Sequence, residues 1–301
     1  HIGEAWCSHQ MTFYSCTFYI YIKLKLKRIK EISLKGFSPS SLETYIKNPK
    51  EYYFQKLLNI KKEDVDESFA SHKTIGLVFH ETIELLYKPF IGKHLEIKAL
   101  KDSLLKVDKV LKNTFVRNKE SFDSGKNLII FEVIKSALKT FIQNELEDIK
   151  SGSVVKILAL EHQIKSTLKL NQEAGVLVTG IIDRVDEKNG LVRIIDYKTG
   201  LVNSSNLTIK DMGLICKDPL RTKAMQLMCY AWMYYRGNNI KKISAGIISF
   251  RNLSNGLMGL KIKDSKSDFI EGSSVDRFEE ELKSLIKEIM DPKIDFIDSE
   301  I

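Results

Sequence analysis

The chain has 301 residues, 43 % hydrophobic and 29 % charged, which are ordinary proportions for a globular protein with a sizeable core. Its 47 Lys and Arg outnumber 39 Asp and Glu, so the formal charge of +8 slightly favours a polyanionic partner. The sequence has no apolar run of about 18 residues, which argues against a membrane span. Its four scattered cysteines form no CxxC pair, which argues against a zinc site or disulfides and favours a reducing cytoplasm.

Residues 1–35 are interpreted as an N-terminal extension of uncertain role. Residues 21–30 (YIKLKLKRIK) alternate apolar and cationic side chains, which predicts a strand with one face in water. A peripheral strand, or translated sequence upstream of the domain, is the favoured interpretation. A basic arm that contacts phosphate is the alternative.

The remainder, residues 36–301, is predicted to form one domain whose first part, about 36–150, is helical. Ser38 and Pro39 are typical of a capped helix start, and Pro49 should split the opening helix into two. A charged loop is expected at 61–73. The predicted helices that follow are 75–89, which carries His80, and two or three amphipathic helices within 94–150.

After Gly152 the apolar pattern changes from helical to extended spacing, which predicts an α/β core over about 151–265. Asn189-Gly190 is a strong hairpin-turn signal between two of its strands. We expect a mixed β-sheet flanked by helices. The predicted strands are 154–170, 175–188, 190–200, 243–252 and 256–263, and the predicted helices are 223–237 and a C-terminal one at 274–290.

The hairpin brings together side chains suited to phosphodiester chemistry. Asp183 and Asp196 each follow a pair of isoleucines on adjacent strands, and Lys198 shares a side with Asp196 by the two-residue strand period. Two carboxylates can hold a hard divalent cation that activates water, and a lysine can neutralise developing charge. A structural ion pair between these groups is the alternative. Asp186 and Glu187 are interpreted as turn residues.

Four short motifs occur in order along the chain and carry a family resemblance. GLVFH ends at His80, GIID ends at Asp183, DYKT begins at Asp196, and QLMCY begins at Gln226. They resemble the GxxxH, GxxD, D-[YW]-K-T and QxxxY motifs of the RecB/AddB-type branch of the PD-(D/E)XK nuclease superfamily. The opening helix pair from Phe37 is also similar to AddB-like proteins. The resemblance implies a restriction-endonuclease-like core with an N-terminal helical elaboration.

The resemblance also implies roles for the motif residues. His80, Asp183, Asp196 and the carbonyl of Tyr197 would bind Mg²⁺ or Mn²⁺, and Lys198 would be the catalytic lysine. Two further groups complete this expectation. Gln226 and Tyr230, one helical turn apart, would support the site or the DNA strand, and Glu161 is either a further acidic contributor or a surface residue.

Many AddB-like nucleases hold an iron–sulfur cluster with one cysteine in the opening helix pair and three near the C-terminus. Here Asn48 stands at the first of these places, and the C-terminal tail contains no cysteine. Because thiolate ligands are indispensable to such a cluster, we expect a cluster-free member.

Taken together, the sequence predicts a magnesium-dependent deoxyribonuclease, best described as an exonuclease of recombination-linked DNA repair. Lys217, Arg221 and Lys223 are expected to contact the DNA backbone without reading sequence. The chain has no GxxxxGK[ST] motif, so any helicase activity is expected in another polypeptide or a region upstream. The alternatives are a catalytically inactive DNA-binding or scaffold module of a helicase–nuclease complex, and a nuclease acting on RNA or on CRISPR-acquisition intermediates.

Overall fold

The computed structural model describes residues 25–60, 72–118, 125–172, 174–238, 240, 242–263, 265 and 267–297. Helix α1 covers 25–35. The other helices are α2 (Pro39–Lys47), α3 (Pro49–Tyr52, continued by a π-helical turn at Tyr53–Leu57), α4 (His72–Tyr87), α5 (Ile97–Arg117), α6 (Gly125–Lys150), α7 (Thr222–Gly237) and α8 (Gly272–Met290).

A mixed five-stranded sheet forms the centre of the molecule. Its strands are β1 (Val155–Lys169), β2 (Gly175–Lys188), β3 (Leu191–Lys198), β5 (Ile243–Ser249) and β6 (Leu257–Gly259), in the order β1-β2-β3-β5-β6. Among the described strands of this sheet, β3 and β5 pair in parallel and the other neighbours are antiparallel; α7 lies between β3 and β5 in the chain. The predicted mixed sheet flanked by helices is confirmed. A small parallel pair, β4 (Thr208–Ile209) with β7 (Lys261–Ile262), was not predicted.

The sheet separates two hydrophobic cores, one on each face. The larger core packs α2, α7 and α8 against the sheet, with Trp232 and Phe278 fully buried. The second core packs α4, α5 and α6 around Phe79 and Leu100 on the other side. Neighbouring residues of β3 divide between the cores, because Ile194 lies in the first and Ile195 in the second.

The strand predicted over 21–30 is wrong for residues 25–30, which are helical; residues 21–24 lie outside the described part. The physical reason is that Leu26, Ile29 and Ile32 recur every three residues, a helical spacing that overrides the short alternation before it. Ile29 is buried in the first core, and Lys25 Nζ donates a 2.5 Å hydrogen bond to the carbonyl of Ile294.

Interpreting Asp186 as a turn residue is also wrong. The side chain is fully buried, and its oxygens lie 2.6 Å from Arg184 Nη2 and 2.7 Å from Arg193 Nε. Arg184, itself fully buried, also contacts Glu145 Oε1 of α6 at 2.7 Å, and the Tyr87 hydroxyl of α4 donates to the same carboxylate. This buried charge network ties the helical part to β2, one residue beyond Asp183.

Within the part of the chain that the structure describes, every helix is too short or too polar to cross a membrane.

Candidate active site

A histidine of α4 meets two carboxylates that come from the middle of β1 and of β2. The Nδ1 atom of His80, on α4, lies 3.3 Å from Asp183 Oδ1 on β2 and 3.7 Å from Glu161 Oε1 on β1. One potential ligand atom from each of the three residues fits within 4.8 Å of the others. This spacing allows all three to bind a single metal ion.

The β1–β2 register explains why Glu161 faces Asp183. Leu160 pairs with Arg184 and His162 with Ile182, which leaves Glu161 opposite Asp183. Glu161 has a φ of 44°, in the left-handed region that residues other than glycine rarely adopt. Such backbone strain concentrates at functional sites, because the surrounding structure must maintain it.

Asp196 continues the site onto β3. Arg184 of β2 pairs with Ile195 of β3. Because the two strands are antiparallel, the next position of this register places Asp196 opposite Asp183. The Asp196 carboxylate is buried, with Oδ2 2.7 Å from Lys198 Nζ. The backbone N–H of Tyr197 donates a 2.6 Å hydrogen bond to Asp183 Oδ2, which fixes that carboxylate against β3.

The glutamine and tyrosine of α7 hold the other side of Asp196. Gln226 Nε2 donates to Asp196 Oδ1 at 3.3 Å and to the Tyr230 hydroxyl at 3.0 Å. The Tyr230 ring in turn lies against Gly180 of β2. A Cβ atom at position 180 would lie only 2.9 Å from Tyr230 Cε1, so any larger residue there would force the ring or the helix to shift. The glycine of the GIID motif and the tyrosine of the QLMCY motif therefore fit one another.

The carboxylates of the site give it a negative potential that holds protons on His80 and Lys198. Burial lowers the pKa of His80, but hydrogen bonds and charges from Asp183 and Glu161 outweigh burial and raise that pKa to about 10. Burial raises the pKa of Asp196 to about 6, against the opposing effect of Lys198. Burial lowers the pKa of Lys198, yet the Asp196 carboxylate dominates and raises it, so this lysine is charged at neutral pH.

The three loop cations predicted to contact DNA differ in their surroundings. Lys217 is exposed. Arg221 is bound within its own loop, by Asp218 at 3.4 Å and by the carbonyl of Ser205. Lys223 is half-buried beside the site; burial, with Lys198 and Lys47 nearby, lowers its pKa.

A carboxylate of α2 next to these lysines was not predicted from the sequence. Glu43 Oε1 lies 2.6 Å from Lys47 Nζ and accepts a 3.1 Å hydrogen bond from the Thr222 hydroxyl at the start of α7. Its charge also acts on Lys198 and Lys223. In the sequence, Glu43 stands out only as the single acidic residue of α2. Its place beside the site follows from the packing of α2 on α7.

Asn48, which stands where cluster-bearing AddB-like nucleases carry a cysteine, has a structural role. Its side-chain oxygen accepts a 2.8 Å hydrogen bond from the backbone N–H of Glu51 and so caps α3. Cys216 and Cys229, the cysteines of the described part, are both buried free thiols. The absence of an iron–sulfur cluster stays a prediction.

The chemistry of the donor set fits a divalent cation. Two carboxylates and an imidazole converge without a thiolate among them, and oxygen-rich sets of this kind suit Mg²⁺ and Mn²⁺ better than soft metals. Asp196 borders this cluster, although in this structure its oxygens are held by Lys198 and Gln226.

Comparison with known protein families supports the fold class that was predicted from the sequence. Residues 36–300 match the model of the PD-(D/E)XK nuclease superfamily. The chain therefore belongs to that superfamily, and both the resemblance and the restriction-endonuclease-like fold class are confirmed. Members of this superfamily are phosphodiester-cleaving hydrolases that generally use divalent metals.

The similar proteins are all much longer than the aligned region. One subunit of an ATP-dependent helicase/deoxyribonuclease of Clostridium acetobutylicum is 30 % identical over 183 residues, which is 56 % of this chain and 16 % of that protein. Uncharacterised proteins of Rickettsia conorii and Rickettsia felis are 23 % and 25 % identical, over 64 % and 55 % of this chain and 23 % and 19 % of their own lengths.

Proposed function

We propose that this protein is a magnesium-dependent deoxyribonuclease, acting as an exonuclease in recombination-linked DNA repair. The observation that carries the proposal is the convergence of His80, Glu161 and Asp183 beside the Asp196–Lys198 pair. Membership of a nuclease superfamily supports hydrolysis of a phosphodiester bond. The charge of +8 suits a polyanionic substrate.

Each group has a distinct part in this proposal. His80, Asp183 and Asp196 would hold the cation together with the Tyr197 carbonyl, and Glu161 would add a further oxygen ligand. A bound Mg²⁺ or Mn²⁺ would polarise the phosphate and lower the pKa of a coordinated water.

The lysine acts on the substrate, whereas the α7 side chains position the Asp196 carboxylate. The Lys198 ammonium is partly exposed and neutralises the charge that develops on the phosphate oxygens during attack. Gln226 orients Asp196 by its hydrogen bond, and Tyr230 orients Gln226. Lys217, Arg221 and Lys223 contact the DNA backbone, with Lys223 nearest to the reaction.

The Clostridium relative, named as part of a helicase/deoxyribonuclease, supports DNA as the substrate and a helicase as the partner. We propose that a helicase on another chain supplies the DNA strand that this protein cleaves. Since the alignment covers 16 % of that relative, this partnership is tested separately from cleavage, by co-purification and by ATP-dependent stimulation.

The decisive assay incubates the purified protein with end-labelled linear DNA, single- and double-stranded, with free and blocked ends. We expect degradation with Mg²⁺ or Mn²⁺, none with EDTA, and protection by blocked ends if the enzyme is an exonuclease. Labelled RNA in parallel tests the RNA alternative. Metal-independent DNA binding without cleavage of any substrate would instead establish the inactive binding module.

A further inference from the structure

A cavity of about 600 Å³ lies beside the candidate active site, between the sheet and the start of α2. Its volume is within the roughly 300–1,000 Å³ of sites that enclose a small organic ligand. The lining combines hydroxyl groups, an amide, an ammonium group and apolar side chains. They come mainly from Ser38 and Ser40 of the α2 start, Gln163 and Lys165 of β1, and Thr179 and Ile181 of β2.

This cavity adjoins the metal-binding cluster along both strands. Gln163 is two residues from Glu161, and Ile181 is two residues from Asp183, a distance of about 7 Å along a strand. Tyr230 also lines the cavity, and its hydroxyl belongs to the hydrogen-bond chain that ends on Asp196. A ligand in the cavity would therefore extend directly from the cluster.

The walls of the cavity are held in place by backbone hydrogen bonds. The Phe37 N–H donates to the Leu177 carbonyl at 2.8 Å, and the Thr179 N–H donates to the Phe37 carbonyl at 2.9 Å. Ser38 then caps α2 by accepting from the Ser41 N–H at 3.1 Å. A preformed cavity of this kind binds its ligand without a large ordering cost.

We propose that this cavity binds one or two nucleotides of a single DNA strand next to the phosphodiester bond that is cleaved. Lys165, which is exposed, contacts a backbone phosphate, and the hydroxyls of Ser38 and Ser40 face the same strand. Ile181, 47 % exposed, and the Tyr230 ring offer an apolar surface to the sugar or base. The volume of about 600 Å³ matches a site for a small organic ligand, which suits one or two nucleotides rather than a segment of duplex.

This inference rests on the proposed function, and the experiment below distinguishes a failure of the cavity proposal from a failure of the nuclease proposal. The probe is a fluorescent oligothymidylate of 12 nucleotides, titrated with the full chain in EDTA so that no cleavage occurs. Lys165→Ala should weaken binding about tenfold, the effect of one lost charge-assisted contact. The slope of log K against log salt should become shallower by about 0.7, the value for one phosphate on a single strand.

Lys169→Ala is the matched control, because Lys169 is exposed on the same strand but does not line the cavity. It should leave both the affinity and the salt slope at the wild-type values. Equal effects of the two substitutions, or no effect of Lys165→Ala, would overturn the cavity proposal. If Lys165→Ala weakens binding but the wild type cleaves nothing with Mg²⁺, the cavity stands as a single-strand binding site and the nuclease proposal fails.

A second measurement needs no variant. Reductive methylation of the wild type, read by mass spectrometry, should modify Lys165 several-fold more slowly with the oligonucleotide bound, while Lys169 reacts at an unchanged rate. Unaltered labelling of Lys165 at saturating oligonucleotide would contradict the proposal. A duplex of the same length should protect Lys165 less than the single strand does.

Discussion

At the scale of single residues, the contact between Gly180 and the Tyr230 ring links the strand and helix motifs of the site. An alanine at 180 would meet Tyr230 Cε1 at 2.9 Å and Met233 Cε at 3.1 Å, so α7 must shift or the ring must turn. Either movement loosens the hold of Gln226 on Asp196. Gly180 thus acts by positioning other residues.

We expect Gly180→Ala to lower the free energy of unfolding by about 1–3 kcal/mol, the usual cost of overpacking, and to lower the cleavage rate of the folded enzyme. Chemical unfolding and a metal-dependent cleavage assay at equal folded concentration measure the two effects. Gly259→Ala is the control, because a Cβ atom there meets no described atom within 4 Å. Wild-type cleavage by Gly180→Ala would disprove this positioning role.

The residues of the site differ in how far the sequence predicts their placement. The strand period alone predicts that Asp196 and Lys198 share a side, and they lie 2.7 Å apart. His80 is identified only by its motif, because tertiary packing brings α4 to β2. For Glu161 the sequence left two alternatives open, a further acidic contributor or a surface residue, since its position depends on an irregularity in the β1–β2 register near Leu158 and on a positive φ.

At the scale of elements, the buried network of Arg184, Asp186 and Glu145 joins α6 to β2. In the sequence, Asp186 resembles a turn residue because it lies close to Asn189-Gly190. Its partner Arg193 lies directly opposite on β3, and a cross-strand pair of this kind depends on the register rather than on composition. The parallel pairing of β3 with β5 was likewise not predicted, because it follows from the crossover through α7.

Asp186→Asn should lower the free energy of unfolding at pH 7 by about 3–5 kcal/mol, because it removes one of the two carboxylate partners of the fully buried Arg184. Burial raises the pKa of Asp186, but Arg184 and Arg193 outweigh burial and lower it below the ordinary value. The contribution of this carboxylate is therefore complete above its unfolded pKa of about 3.9 and is lost as the pH falls through the lower folded pKa.

Urea unfolding of the wild type and Asp186→Asn at a series of pH values from 7 downward measures this prediction. The difference between them should shrink as the solution becomes strongly acidic. Glu187→Gln, at the neighbouring half-exposed carboxylate, is the control and should change stability little at any pH. A difference that stays constant, or grows on acidification, would refute the assigned role of Asp186.

At the scale of the whole molecule, the site draws its side chains from helices on both faces of the sheet. His80 comes from the side of α4, whereas Gln226 and Glu43 come from the side of α7 and α2. The sequence predicted the helical part, the α/β core and the order of the motifs. The division into two cores and the entry of α2 into the site could not be predicted, because both result from contacts between distant segments.

The central claim is that one site, containing Asp196 and Lys198, cleaves DNA in the presence of magnesium. The most direct measurement is the rate at which Asp196→Ala and Lys198→Ala degrade end-labelled linear DNA with Mg²⁺, beside the wild type and the surface control Lys101→Ala. We predict cleavage by the wild type and Lys101→Ala, and its loss in both site variants, with circular dichroism spectra unchanged. Wild-type rates in either site variant would contradict the mechanism.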